Sequence, residues 1–475
     1  MILSFVAGYV LIAVEHVIKI NKAALAMVLG IALWIMYIFA GADVITQSTP
    51  ESFKFFLEGN PDLAAQPAYL QALKFVSQIQ IIEHLGDISQ ILFYLIGAMT
   101  IVELIDVHGG FASITNRIKT RSKRKLLWLI ALIAFFMSAV LDNLTTSIVM
   151  VMLLRKIVSS QKERWFYAGI IIIAANSGGA WTPIGDVTTI MLWINGNVTT
   201  TPLMSWLFLP SLVSTLVPLI FVSMRMKGTL APLEADISAL PAGHKPPVIT
   251  RKERLSILWL GILCLVSVPL FKYATHLPPF MGILLALGLM WIYIEVMYNR
   301  KDHIPASQQH RIPNVLSKID MPTILFFLGI LLAVAALQCA GVLSMASAFL
   351  DAQVKNIYVI NTIIGLLSSM VDNVPLVAGS MAMYPIMHSG ALAASADPSY
   401  MANFMQDGMF WQLLAYCAGV GGSILIIGSA AGVVVMGLEK MNFFWYVKNI
   451  TLLALLGYFA GIFTFILQHI IVSYM

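Results

Sequence analysis

Asn176-Ser-Gly-Gly-Ala-Trp-Thr-Pro-Ile-Gly-Asp186 interrupts an apolar run that extends over residues 166–195. Glycines, a proline and several polar side chains cannot continue an ordinary apolar helix, because proline lacks an amide donor and glycine costs backbone entropy. The stretch therefore predicts a broken helix. Its surroundings say where that helix lies. Of the 475 residues, 59% are apolar and only 11% charged, and mean hydropathy is +0.87. A water-soluble domain needs far more surface charge. Runs of about 20 apolar residues recur along the whole length, each long enough to cross a ~30 Å hydrocarbon core. Nothing remains from which to build a soluble domain on a single anchor.

The charges orient the chain. The net charge of +5 comes from basic residues in short loops between apolar spans. That is the positive-inside pattern, of which nucleic-acid binding is the poorer account, and no nucleic-acid partner is expected. Lys19 and Lys22 place the first short loop in the cytoplasm, and residues 23–40 cross outward. The acidic stretch 41–87, with Asp43, Glu51, Glu58, Asp62, Glu83 and Asp87, reads as a long outer loop. Residues 88–107 return to a basic loop of Arg117, Lys119, Arg121, Lys123, Arg124 and Lys125. The first run, Ile2 to Val17, has no basic lead-in or cleavage site and reads as a retained helix. Cys264, Cys339 and Cys417 fall inside apolar spans and read as packing residues.

Residues 126–154 have basic residues on both sides, the second set being Arg155, Lys156, Lys162 and Arg164. A single crossing would leave one set outside, so the chain is expected to enter, turn near Asp142-Asn143 and leave on the same side. Irregular backbone at membrane depth survives only where protein or a cavity satisfies it. Residues 203–224 return to a basic loop that includes Arg225, Lys227 and Lys245; 255–274 cross out and 279–298 cross back. Residues 321–340 then cross outward, and 356–388 are interrupted at Ser368-Ser-Met-Val-Asp-Asn-Val-Pro375 without basic flanks, which fits a hairpin entered from outside. Residues 409–438 break at Gly421–Ser429, and 449–470 make the last crossing.

The two halves echo each other. Ile91-Leu-Phe-Tyr-Leu95 matches Ile324-Leu-Phe-Phe-Leu328, and Ser138…Asp142-Asn143 matches Ser368…Asp372-Asn373. Gly178-Gly179…Gly185-Asp186 matches Gly421-Gly422…Gly428-Ser429. The expected fold is an all-α polytopic membrane protein of about ten transmembrane helices plus two re-entrant hairpins, in inverted-topology repeats with discontinuous helices. Residues 1–22 would be an extra N-terminal helix, 23–224 the first repeat, 225–278 a linker with a cytoplasmic loop and an extra helix, and 279–475 the second repeat.

Carboxylates at mid-membrane are costly and point to function. Asp142, Asp186 and Asp372 lie at the predicted breaks, and the sequence places no Arg or Lys beside them. Desolvation favours their protonated forms and a bound cation their charged forms. That competition is the chemistry of cation/proton exchange. Asn143, Asn373, Thr145, Ser138, Ser368 and Ser429 would add neutral oxygens, a hard ligand set suited to Na⁺ or Li⁺. Asp142 and Asp372 are expected to form the core site where the hairpin turns meet, with Asp186 nearby. Glu103, Asp106 and Glu295 read as interfacial, and His84 beside Glu83 as either a pH sensor or a solvated loop pair.

Asp142-Asn-Leu-Thr-Thr-Ser147, Asn176–Thr189 and Gly428-Ser-Ala-Ala-Gly432 resemble the NhaD-type Na⁺/H⁺ antiporters of the ion-transporter superfamily, over nearly the whole chain. The resemblance implies electrogenic export of Na⁺ or Li⁺ against protons at alkaline pH. It also implies a homodimer, an elevator movement, a bacterial inner membrane, and no cofactor beyond the transported ion. It carries site roles to Asp142, Asn143, Thr145, Asn176, Thr182 and Asp186, and to Ser368, Asp372, Asn373, Ser423 and Ser429. Rival readings are a sodium-coupled dicarboxylate carrier or an arsenite exporter on the same fold, a channel, and a membrane-embedded enzyme. The enzyme reading lacks a nucleophile with a positioned base, so no enzymatic activity is expected.

Overall fold

A computed structural model describes residues 1–13, 18–40, 44–45, 49–111, 120–230, 249–301, 305, 309–370, 372–393, 395 and 397–474. Val17, Asp43, Arg117, Lys119 and Lys245 lie outside the described residues. Regular structure among these residues is helical. The helices that build the molecule are α1 (Ile2–Ala13), α2 (Lys22–Phe39), α3 (Ile81–Val107), α4 (Lys123–Leu141), α5 (Asn143–Ile157), α6 (Gln161–Gly179), α7 (Val187–Ile194), α8 (Thr200–Arg225) and α9 (Arg251–Thr275). There follow α10 (Pro279–Asn299), α11 (Met321–Cys339), α12 (Val342–Gln353), α13 (Ile357–Ser368), α14 (Asn373–Met383), α15 (Met409–Gly421), α16 (Ala430–Glu439) and α17 (Leu452–Ser473).

Eight helical stretches among the described residues are long and apolar enough to span a bilayer. Their outer faces carry large apolar side chains where a soluble protein would carry charge. Trp259, Leu263, Leu270, Leu289, Ile292 and Phe463 are all more than half exposed, as expected where the solvent is lipid. The chain is a multi-pass membrane protein.

One expectation is corrected. The acidic stretch 41–87 is not a long loop: Pro50–Glu58 and Pro61–Ala64 are short helices, and helix runs from Ala68 through a π turn at Val76–Gln80 into α3. Glu83, His84 and Asp87 thus ride on a helix. Ile81, Ile82, Leu85 and Ile88 interleave with them, so the apolar pattern continues beneath charges that look loop-like in isolation. His84 is half-buried, with Nε2 at 3.2 Å from Cys339 Sγ.

Both breaks fall where the glycines and the proline predict. α6 stops at Gly179 and α7 starts after Asp186; α15 stops at Gly421 and α16 starts after Ser429. Asp186 and Ser429 occupy the same extended backbone conformation (φ −146° and −141°) and cap the helix that follows. The hairpins α4–α5 and α13–α14 lie against the broken helices through equivalent bonds. Ser138 Oγ donates to Ala175 O at 2.6 Å and Ser368 Oγ to Ala418 O at 2.8 Å. A methyl group on Gly178 would fall 2.1 Å from Phe135 O, and one on Gly421 2.2 Å from Gly365 O. Glycine at these positions lets the backbones touch.

The hairpins enter from opposite ends of the molecule. At one end Lys123, at the start of α4, pairs with Glu163 at 2.6 Å, while Arg155, at the end of α5, and Arg164 both reach Glu439 (2.8 and 2.9 Å). At the other end Lys355, just before α13, pairs with Asp397 beyond α14 at 2.7 Å. There Thr199, at the start of α8, donates to Asp407 through N and Oγ1 at 2.6 and 2.7 Å.

Packing separates two bodies. In the first, α2 and α11 run side by side, with α1, α3, α9 and α10 around them. Gly30 and Gly329 set that crossing, since a methyl on Gly30 would fall 2.5 Å from Gly329 O. The second body holds both hairpins, both broken helices, α8 and α17. The bodies meet where α11 lies on α14 and α3 on α7.

Candidate functional site

Four helix starts converge between the halves. Their caps are Asp142 for α5, Asp186 for α7, Asp372 for α14 and Ser429 for α16. Helix N-termini carry unpaired amide donors and a partial positive charge. A carboxylate cap satisfies the donors and supplies a fixed negative charge, so three of these ends already hold their own anion.

Asp186 is the centre of the arrangement, at 1% exposure. Thr188 donates to its Oδ1 through N and Oγ1, both at 2.9 Å. From the first hairpin tip, Asn143 Nδ2 donates to Oδ2 at 2.7 Å. From the second tip, Asn373 Nδ2 reaches Oδ1 at 3.4 Å. The network continues from Asn143 Nδ2 to Asn176 Oδ1 at 2.9 Å, and from Asn176 Nδ2 to Ser429 Oγ at 3.1 Å. One hydrogen-bonded chain therefore joins both hairpins to both broken helices, and all its members are buried.

The remaining expected residues stand outside that chain. Asp142 accepts from Thr145 N at 2.7 Å and Thr145 Oγ1 at 2.9 Å, closing its own turn with a left-handed φ of 80°. Thr182 Oγ1 donates to Ala139 O at 2.7 Å, and Ser423 Oγ to Val420 O at 2.7 Å. With Ser368, they fasten backbone. Among the described residues no hydrogen bond joins Asp142 to Asp372; the tips meet on Asp186 through their asparagines.

Asp372 corrects the expectation that no cation lies beside the aspartates. Lys22 Nζ, at the start of α2, is 3.0 Å from Asp372 Oδ2. The loop-end reading of Lys22 hid this, since the partner is 350 residues away. Thr188 was also missed, although a threonine two residues after an aspartate cap is a recognisable signal.

Among the described residues, no group of three or more His, Cys, Asp or Glu side chains could hold a metal ion. A cation beside Asp186 would meet its carboxylate, with amide and hydroxyl oxygens from Asn143, Asn176, Asn373 and Ser429, and Asp372 adjoins Asn373. That is a hard, low-charge ligand set. Above it, at the end bearing His84, Asn195 and Gln338, a cavity of about 360 Å³ opens between the two bodies. Its walls are α3, α7, α11 and α14, with His84, Asp87, Gln90, Asn195 and Gln338 as polar lining.

The chain matches the citrate transporter family (CitMHS) over residues 9–406. It belongs to that family, in the NhaD-type branch of the ion-transporter superfamily. "Sodium/proton antiporter 2" of Arabidopsis thaliana is 39% identical over 99% of both chains. "Sodium/proton antiporter 1" of the same plant is 40% identical over 99% of this chain and 72% of its own. "Na(+)/H(+) antiporter NhaD" of Vibrio cholerae is 28% identical over 97% of this chain and 90% of its own. In this NhaD-type chain the family match spans both hairpins and stops just short of the second broken helix, whereas the antiporter relatives cover that helix as well.

Proposed function

We propose that this chain is a secondary active antiporter that exports Na⁺ or Li⁺ in exchange for protons. The observation that carries the reading is Asp186, one enclosed carboxylate held by asparagines from both hairpin tips. A carboxylate in that setting is neutral when protonated and needs a cation when charged. The two ligands exclude each other, and mutual exclusion is what couples the fluxes. The names of the relatives support exchange of Na⁺ for protons.

The movement is proposed to be elevator-like, with the hairpin body sliding along the α2–α11 body. Support comes from the division into two bodies and from the cavity between them, which the loop charges assign to the outer side. A homodimer and a bacterial inner membrane complete the proposal, on the NhaD resemblance and the bacterial relatives.

The competing reading is an anion carrier, since the matched family is described as a citrate transporter and converging helix N-termini suit carboxylates. Here the caps Asp142, Asp186 and Asp372 occupy those ends and repel an incoming anion. The test uses inside-out vesicles with an acid interior and a pH-sensitive dye. Na⁺ or Li⁺ is expected to dissipate the gradient, whereas K⁺, citrate and arsenite are not. Dissipation by an anion alone would overturn the proposal.

A further inference from the structure

Lys22 is badly placed for its own helix. It is the first residue of α2, whose first turn holds no acidic residue, and a cation at a helix N-terminus opposes the dipole. Its ammonium lies 3.0 Å from Asp372 Oδ2 and 4.4 Å above the centre of the Phe326 ring on α11. Both members of the pair are largely enclosed, with side chains 24% and 15% exposed. Taking two charges out of water is costly, and such a pair is often no more stable than a well-packed apolar one. Stability therefore gives no reason for it.

Position does. Lys22 belongs to the α2–α11 body, and Asp372 caps α14 in the hairpin body. The next residue, Asn373, donates to Asp186. The ion pair thus joins the two bodies one residue from the centre of the site. An ammonium and an alkali cation are alike in charge and both seek carboxylate oxygen.

Resting on the exchange reading above, we propose that the Lys22 ammonium is a built-in competitor for the transported cation: it neutralises Asp372 while no Na⁺ is bound and is displaced when Na⁺ binds. Displaced, it stays over the Phe326 face, which attracts cations. Each cycle then alternates between a sodium-free site, with Asp186 protonated and Asp372 paired to Lys22, and a sodium-bound site, with that pair broken. An internal competitor raises the apparent KM for Na⁺ and, by taking Asp372 back, speeds release of the ion.

The test is Na⁺-driven proton flux in proteoliposomes of the full chain at fixed pH. Lys22→Met should lower the apparent KM for Na⁺ about five- to tenfold and lower kcat, a split that a purely structural defect does not produce. Lys22→Arg, which keeps the charge, should stay within about twofold of the parent in both constants. Lys22→Gln is the second neutral variant should methionine prevent folding, with the same fall in KM expected. An unchanged or raised KM in the folded neutral variant overturns the inference while parental exchange stands. Absence of Na⁺-driven flux in the parent chain overturns the exchange reading itself.

Discussion

Asn143 and Asp186 are 43 residues apart in the chain and 2.7 Å apart in the fold, Nδ2 to Oδ2. The same amide nitrogen reaches Asn176 Oδ1, so Asn143 links the carboxylate to the arm that ends on Ser429. Asp186→Asn removes the group whose two charge states alternate and is expected to abolish Na⁺-dependent flux while leaving a folded chain. Asn143→Ala keeps the carboxylate but leaves it without a charge-assisted donor worth about 1.5–3 kcal/mol. Exchange should fall roughly ten- to a hundredfold, measured as initial rates in vesicles at matched protein content. Full activity in Asp186→Asn would remove that residue from the centre of the site.

Glu439 should matter for stability and not for ion selectivity. Its side chain is fully buried and accepts from Arg155 Nε at 2.8 Å and Arg164 Nε at 2.9 Å. Trp165 and Gln161 donate to its carbonyl. The cluster fastens the end of α16 to the first hairpin and the start of α6. Glu439→Ala leaves two guanidinium groups facing each other, at a cost of about 2–4 kcal/mol once the partial exposure of Arg155 is discounted. Thermal unfolding in detergent should show a lower midpoint, with Arg164→Ala more damaging than Arg155→Ala. The apparent KM for Na⁺ of the folded fraction should not change.

Two glycines with the same residue type should respond oppositely to alanine. A methyl at Gly178 would lie 2.1 Å from Phe135 O, backbone that cannot yield without moving the first hairpin. Gly178→Ala is expected to lower stability by about 1–3 kcal/mol or to prevent folding. Gly437, within α16, has nothing within 4 Å of the added methyl. There Gly437→Ala should be neutral or stabilise by about 0.5–1 kcal/mol, as alanine is the better helix former. Equal melting temperatures for the two variants would contradict the close approach of α4 and α6.

The parts of this molecule that local chemistry dictates are legible in the sequence. Pro183 together with the glycines around it breaks the helix, whereas Pro210 and Pro218 alone do not interrupt α8, and Asp186 and Ser429 follow at the spacing a cap requires. Opposed basic flanks announce the first hairpin, because one crossing cannot satisfy both. What stays hidden depends on distant partners. Nothing near Lys22 shows that Asp372 faces it, and a basic residue before an apolar span reads as a loop marker by default. Glu439 likewise looks like the solvated end of a helix until Arg155 and Arg164 are placed around it. Glu83 and Asp87 mislead in the other direction: their charge suggests a loop, while Ile81, Ile82, Leu85 and Ile88 around them carry the helix on. The asparagines were legible as site residues, but their pivotal place was not. The strongest charge draws the eye to Asp142, which in the fold closes its own turn with Thr145.

The cavity between the bodies yields a test of the sliding movement. Asn195, at the end of α7, lines it from the hairpin body, and Gln338, near the end of α11, from the other body. A chain with Cys264, Cys339 and Cys417 replaced, and a single new cysteine at Asn195→Cys, should react with a membrane-impermeant thiol reagent added from outside. If the hairpin body slides inward with its ion, a saturating Na⁺ gradient that drives the carrier inward should slow that reaction, as the cavity closes against α3 and α11. The Gln338→Cys position moves with the static body and should lose reactivity only as far as the cavity closes over it. A double variant, Asn195→Cys with Gln338→Cys, bridged by a flexible bifunctional reagent, should stop exchange, and cleavage of the bridge should restore it. Exchange that continues at full rate in the bridged protein would mean that the bodies need not move past each other, and the elevator reading would fall while Asp186 kept its role.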